Sequence, residues 1–365
     1  MAADGAPNTT RVTDLGLPKI YAKVVDQVLN SPTLISRFMG SAEPFEGFAQ
    51  YVVYDVTADS QGQWFTGLET LNTAATSTTV TGSYNHTAFT QPQVSIMLES
   101  FANAGSLGVI NVDDFKFQKA AAQALQALGS SIYSDGSGNQ LLGLDKIVDD
   151  SGTIGNLARS TYSSLNATDT ASGGTLTLAK MATLHDAVSA AGISTEEPNI
   201  GVTTKTVWSL YEQLLTPQVR ADYNSVGYPS LAVRGKYMMK NKSDLKAAAG
   251  FNALSFRGMP IIKDDFCTSG YLFFLNENYL VFKGRTLVPD MYKQNVRKVN
   301  LGTMSAYEGT GAAALDLPSE FNGWFYQDPL TIPDQAGKIA RFYVFGQMIP
   351  LSFRRQGRLT GITTV

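Results

Sequence analysis

The sequence predicts an α+β chain in which a polar arm, a long β-hairpin and a long helix precede a mixed α/β region. Three observations predict it. An Ala/Leu stripe at helical spacing runs from Phe117 to Ile132. Before it, two β-rich segments flank a Thr/Ser tract. After it, helical and strand-like patterns alternate.

The bulk properties set bounds. The 365 residues exceed the roughly 250–300 at which single cores stop growing, so at least two lobes are expected. Hydrophobic residues at 44% exclude a disordered chain. Charged residues reach only 16%, against about 25% in ordinary soluble domains. Two readings follow: a surface rich in Ser, Thr, Asn and Gln, or a surface covered by neighbours, since interface cores are poor in charge. The net charge of −3 implies no general attraction to nucleic acid or to anionic membranes. With Cys267 as the single cysteine, no intrachain disulfide can form. The start lacks a basic and then apolar leader, and no stretch of about 20 apolar residues is present. Folding in a cytoplasm, with no membrane partner, is therefore expected.

The elements are expected as follows. Residues 1–44 read as an arm. Pro18 opens a short helix with Ile20, Val24 and Val28 on one face, and Asn30-Ser31-Pro32 stops it. Residues 45–104 read as an extended hairpin, with Gln50–Thr57 and Thr87–Leu98 as strands and a polar tip at 72–83. A lone two-stranded hairpin is marginal in water, so it folds back on its own domain or lies across another subunit. Between Arg37 and Lys116 there is no Lys or Arg, while Glu46, Asp55, Asp59 and Glu69 fall inside that stretch. The segment is either a solvated acidic ribbon or an arm that seeks a basic surface.

Residues 105–142 carry the spine helix. Asn111 caps it, Asp113 and Asp114 sit in its first turn, and Phe117, Ala121, Leu125, Leu128 and Ile132 form its stripe. Residues 143–285 are mixed α/β. Helices are expected over Leu178–Ala191 and Thr204–Leu215, and strands over Ile200–Val202, Leu254–Ile262 and Tyr271–Leu275 around a turn at Asp264–Gly270. Residues 286–365 return as β structure over Ile339–Val344 and Met348–Phe353, with a Gly/Ala/Ser-rich loop at 302–323.

Chemical signatures are weak. His185 stands beside Asp186, but adjacent helical residues point apart and do not make a base and its orienting partner. Hydrolase and zinc patterns are missing from the sequence. Gly309-Thr310-Gly311-Ala312-Ala313-Ala314 matches a dinucleotide fingerprint but follows no apolar strand. The run Asp135-Ser137-Asn139 starts like a calcium loop, then has Gln140 and Lys146 where glycine and the closing glutamate belong. Asp264-Asp265 reads as a strand-ending turn before it reads as a carboxylate pair, and Cys267 as a packing residue. No catalytic residue, cofactor or metal is expected.

A positive signal comes from two stretches. Gly143-Leu144-Asp145-Lys146-Ile147-Val148 followed by Gly152-Thr153-Ile154-Gly155-Asn156-Leu157-Ala158-Arg159-Ser160-Thr161-Tyr162 resembles a run common in the major capsid proteins of tailed bacteriophages. Phe256-Arg257-Gly258-Met259-Pro260-Ile261 through Asp264-Asp265, Cys267 and Gly270–Asn276 resembles the end of the same domain. Asn156-Leu157-Ala158 departs from the family's Gly-Ile-Asp, and Ser163-Ser164 stands where Trp is frequent. The resemblance implies the Hong Kong 97 fold: the hairpin as the E-loop, the spine helix as the P-domain, 143–285 as the A-domain and 286–365 as the return to the P-domain.

It also implies a non-enzymatic role. Hexamers and pentamers would form an icosahedral shell around double-stranded DNA, found in the virion and, during assembly, in the host cytoplasm. Portal, scaffolding and decoration proteins are the implied partners. The chain starts at Met1, so the scaffold is expected to be a separate protein. Some relatives cross-link through an E-loop lysine; this hairpin has none, so a denaturing gel of shells should show no covalent ladder. An encapsulin-like compartment around a cargo enzyme is the alternative on the same fold, and a cytosolic hydrolase or oxidoreductase using His185 or the Gly309 loop is the alternative outside it. The acidic hairpin is expected to lie on a neighbour's basic residues, either Arg354, Arg355 and Arg358 or Lys293, Arg297 and Lys298. Asp145 and Arg159 are expected to fix local structure or subunit contacts.

Overall fold

The structure, a computed structural model, describes residues 33–57, 61–72, 76–102, 112–171, 173–189, 194–215, 254–285, 296–298, 324–332 and 336–363. The helix expected at 18–29, the Gly309 loop, Asp59 and Lys293 lie outside them.

A helix follows Pro32 directly. The first helix, α1 (Thr33–Gly40), buries Leu34, Ile35, Phe38 and Met39 on one face. No helix is expected here from the sequence, although proline is well tolerated at a helix start. The Leu34 amide donates to the Asp264 carboxylate at 2.9 Å, which satisfies one of the donors a helix start leaves open. Arg37 forks onto Glu277 through two bonds of 2.8 Å. A two-residue strand, β1 (Glu43–Pro44), then leads to the hairpin.

The hairpin differs from expectation in its return strand. β2 (Ala49–Asp55) pairs antiparallel with β3 (Thr79–Asn85), and the tip lies between them. Residues 79–83 of β3 fall in the stretch 72–83 expected as the polar tip. The strand's Thr/Ser content hides the alternation that buries Gly82 and Tyr84. β4 (Thr87–Ile96) is the strand expected to close the hairpin, and it joins a different sheet.

α2 (Met97–Ala102) and the spine helix α3 (Val112–Ser131) follow. The spine buries Ala121, Ala124, Leu125 and Leu128, and Ile132 continues the stripe, as the spacing predicts. α4 (Leu144–Ile147), the two-stranded β5 (Thr153–Ile154) and β6 (Leu157–Ala158), and β7 (Thr168–Thr170) carry the Gly143–Tyr162 motif and its exit. α5 (Leu178–Val188) starts on a Thr177 cap, and α6 (Lys205–Leu214) follows β8 (Ile200–Thr203) on a Thr204 cap.

The strand expected over Leu254–Ile262 is a tight hairpin. β9 (Leu254–Phe256) and β10 (Met259–Lys263) pair across Arg257-Gly258, whose φ values of 47° and 81° match a type I′ turn. β11 (Leu272–Leu275), β12 (Leu280–Gly284), β13 (Val296–Lys298), β14 (Trp324–Thr331), β15 (Gly337–Pro350) and β16 (Gly357–Leu359) complete the described strands. β15 merges two expected strands into one.

Two sheets organise these strands. One runs β7-β16-β11-β8-β10-β9, with α5 and α6 packed on it. Its central strands β8 and β11 are buried at every residue, as strands covered on both faces must be. The other runs β1-β12-β15-β14-β13, with β4 also on β15, and the spine helix lies against it. One core joins the spine, α1, the base of the hairpin and the second sheet. A smaller core fills the space under α5 and α6.

Candidate functional site

Two regions carry what is unusual about this chain. The first is the hairpin. Its base is buried through Tyr54 and Tyr84, but its outer residues are not. Phe48, Tyr51 and Val53 on the near part are exposed, as are Trp64, Phe65, Leu68 and Leu71 at the tip, and Trp64 and Leu68 carry no cover at all. The tip is nonetheless shaped: Asn72 donates to Gln61, Gln63 to the Thr70 carbonyl at 3.2 Å, and Thr66 to Glu69 at 3.1 Å. The tip therefore combines internal hydrogen bonds with an apolar surface open to solvent. Glu46, Asp55 and Glu69 are exposed along the same arm. The charge pattern points to these acids, and the aromatics beside them carry a separate signal. The signal was present as Trp64, Phe65, Leu68 and Leu71, a stripe inside a segment with no core of its own.

A second exposed apolar patch lies at the far end of β4. Val94, Ile96, Met97, Leu98 and Phe101 stand open there on β4 and α2.

The second region is the Gly143–Tyr162 loop, where charge is buried. Arg159 is 1% exposed. Its guanidinium donates to the carbonyls of Ile147 at 2.8 Å, Leu165 at 3.1 Å and Ser151 at 3.2 Å, and stacks 5.3 Å from the centre of Phe353. One side chain thus ties three turns of the loop together. Asp145, Asp149 and Asp169 gather nearby around Arg358, which donates to Asp169 at 2.6 Å and to the Asp145 carbonyl at 2.9 Å. Burial raises the Asp145 carboxyl above its ordinary value, and Arg358 works against that shift. Asp149, Asp150 and Asp169 could converge on a cation, but the Arg358 guanidinium already supplies positive charge, 3.5 Å from Asp149.

The basic candidates are therefore not alike. Arg358 is held by its own chain's carboxylates, and Arg355 pairs with its own Glu196 at 2.7 Å. Both arginines have partners among the acids of their own fold. Arg354 is exposed. Arg297 and Lys298 lie in β13, against β14.

The remaining sequence candidates resolve simply. His185 is buried on α5 beside Phe256 and Phe274, 3.2 Å from the Ser189 hydroxyl. Its distance to Asp186 is 3.9 Å, too long for a hydrogen bond, and Asp186 pairs with Arg257. Asp264 accepts from Leu34 at the start of α1 and from Phe266 within the turn, while Asp265 pairs with Lys205 on α6, so each carboxylate has a structural partner. Cys267 is buried, and burial pushes its thiol well above the usual range, against nucleophilic use.

No protein-family model matches this sequence, and no curated protein does. Solved structures do. The chain is similar to the subunit of the cyanophage A-1(L) capsid, with TM-score 0.65 and 15% identity over 96% of this chain and 98% of that one. It is similar to the capsid subunit of a native GTA particle, with TM-score 0.60 and 12% identity over 99% and 100%. It is also similar to the SrpI encapsulin of Synechococcus elongatus PCC 7942, with TM-score 0.56 and 11% identity over 96% and 98%. Along nearly its whole length, this chain has the Hong Kong 97 fold of phage capsid subunits.

Proposed function

We propose that this chain is a major capsid protein that assembles with copies of itself into a closed shell. The observation that carries the reading is the projecting hairpin, whose apolar tip has no partner surface in its own described subunit, on a chain that matches shell-forming subunits from end to end. The role is structural and non-enzymatic. The division into arm (1–44), E-loop (45–104), spine (105–142), A-domain (143–285) and return (286–365) follows the family's plan. The tip docks on the next copy, and the Val94–Phe101 patch is the surface of matching chemistry. A contact of that kind is heterologous, so repeated by rotation it closes rings such as hexamers and pentamers. Apolar burial gives the contact its strength. The acids Glu46, Asp55, Asp59 and Glu69 guide it towards exposed cations such as Arg354, at about 0–1 kcal/mol for each exposed pair. Lys293, Arg297 and Lys298 are further candidates for the same guidance.

The shell encloses double-stranded DNA through non-specific electrostatic contact. It belongs to a virion built in a host cytoplasm with portal, scaffolding and decoration proteins. The likeness to an encapsulin favours a second reading, a compartment around a cargo enzyme. Expression of the chain followed by negative-stain microscopy tests the first claim: closed particles are expected, and a monomer by light scattering overturns it. The nucleic-acid content of particles purified from infected or producing cells separates a genome container from a cargo compartment.

A further inference from the structure

The hairpin leaves the subunit at one place, and the contacts there go beyond those of a passing loop. Tyr54 on β2 and Tyr84 on β3 are both buried. Their hydroxyls meet at 2.8 Å, and Tyr54 donates to the Pro350 carbonyl at 2.6 Å. A neutral phenol has one proton, so with that of Tyr54 given to Pro350, Tyr84 is the donor to Tyr54. Burial raises both phenols, Tyr84 to about 12, so both stay neutral.

The Gly155-Asn156 turn between β5 and β6 grips β3 from its other side. Its φ values of 55° and 65° match a type I′ turn, which suits glycine and asparagine. The Ser83 amide donates to the Gly155 carbonyl at 3.0 Å, and the Asn156 side chain donates to the Ser83 hydroxyl at 2.6 Å. The approach is close. A Cβ on Gly155 would lie 3.0 Å from the Tyr84 hydroxyl and 3.3 Å from Gly82 Cα. On the β2 side, the Ser164 hydroxyl donates to the Val56 carbonyl at 2.9 Å. Arg159 braces this loop from behind, and Phe353, under its guanidinium, also packs 5.5 Å from Tyr54. Both strands of the arm are thus pinned to one braced loop and to the end of β15.

We propose that the loop Gly152–Ser164, with Tyr54 and Tyr84, is a clamp that fixes the angle at which the arm leaves the subunit, and that this angle selects the curvature of the shell. The clamp stands on contacts within the chain; the curvature half rests on the capsid reading. For a lever of about 30 Å, the reach of roughly nine extended residues, a swing of about 10° at the base moves the tip by about 5 Å. That is enough to carry an apolar side chain out of one pocket and into another.

Two variants of the full chain test it. Ser83→Ala with Ser164→Ala removes side-chain bonds across the clamp and leaves the buried rings in place. Gly155→Ala drives a wedge into it. Spin labels on Gly67→Cys at the tip and Ala187→Cys on α5 report the arm angle in unassembled subunits, because the native Cys267 is buried. The expected result is a narrow distance distribution in the parent, at least twofold wider in the double serine variant, and a displaced mean in Gly155→Ala, with thermal midpoints of parent and serine variant alike. Particles of the serine variant should spread over several diameters where the parent gives one. A parent distribution already broad, or an unchanged width in the serine variant together with an unmoved mean in Gly155→Ala, overturns the clamp. A widened arm with unchanged particle diameters overturns curvature selection. A parent that forms no particles defeats the capsid reading, while the label distances still decide the clamp.

Discussion

The loop around Arg159 and the tip around Trp64 invert the usual rule in opposite senses. In the loop a cation is buried, satisfied by three carbonyls and an aromatic face. At the tip, aromatic and aliphatic side chains stand in water. A buried charge is tolerated only when its bonds are met within the chain, so the loop is complete as it stands. Exposed apolar surface has its counterpart elsewhere. Under the proposed function, the contrast separates residues that make the subunit from residues that join subunits.

The largest effect should come from the buried side. Arg159→Ala strands three carbonyls and should cost about 3–5 kcal/mol, the range for breaking a buried charged network. A thermal midpoint lower by roughly 5–10 °C is the expected reading, and an unchanged midpoint would remove Arg159 from the making of the subunit. The opposite pattern is expected for Trp64→Asp with Leu68→Asp. The midpoint should move little, since exposed substitutions fall within about 0.5 kcal/mol, while particle yield falls at least tenfold. If the midpoint drops instead, the tip belongs to its own fold and the contrast collapses.

Between the extremes stands the tyrosine pair. Tyr54→Phe leaves the Pro350 carbonyl and the Tyr84 hydroxyl without their partner and should cost about 1–3 kcal/mol; Tyr84→Phe removes only a donor and should cost about 1 kcal/mol. Denaturant midpoints of the two variants check the order. The same pair predicts a pH dependence. Burial raises the Tyr84 phenol from 10 to about 12 and Tyr54 in the same direction. The folded chain keeps protons that the unfolded chain releases, so stability is full below pH 10 and falls as pH rises from 10 through about 12. Tyr84→Phe should flatten that fall. The smallest effect is expected from Arg354→Glu: about 0–1 kcal/mol per contact, read as slower assembly at low salt. Arg355→Glu makes a poor companion test, because it also breaks the pair with Glu196 inside the subunit.

Much of this was legible in the sequence where a single physical signal dominated. The spine helix follows its Ala/Leu spacing, and α5 and α6 start within a residue of where their apolar faces place them. The Gly143–Tyr162 loop was legible as a motif, although why its glycines recur became clear only once Gly155 was seen against Tyr84 and Gly82. The return strand of the hairpin was not legible, because threonine and serine serve both strands and tips, and only pairing with β2 decides between them. The Arg257-Gly258 turn was hidden because arginine gives no warning of a left-handed backbone. The self-pairing of Arg355 and Arg358 was hidden for another reason: their partners Glu196, Asp145 and Asp169 are far away in sequence.

The order of strands has a consequence for synthesis. β15 lies between β4 and β14, and β16 lies between β7 and β11. Both follow all of those neighbours in the chain. A polypeptide emerging from the ribosome therefore has the neighbours of both strands in hand before either strand exists. The base of the arm waits as well, since the Tyr54 hydroxyl is met by Pro350 at the end of β15. Long-range pairing of this kind is slow to form. Until residue 350 is out, a nascent chain lacks the Tyr54–Pro350 bond that completes the base of the arm.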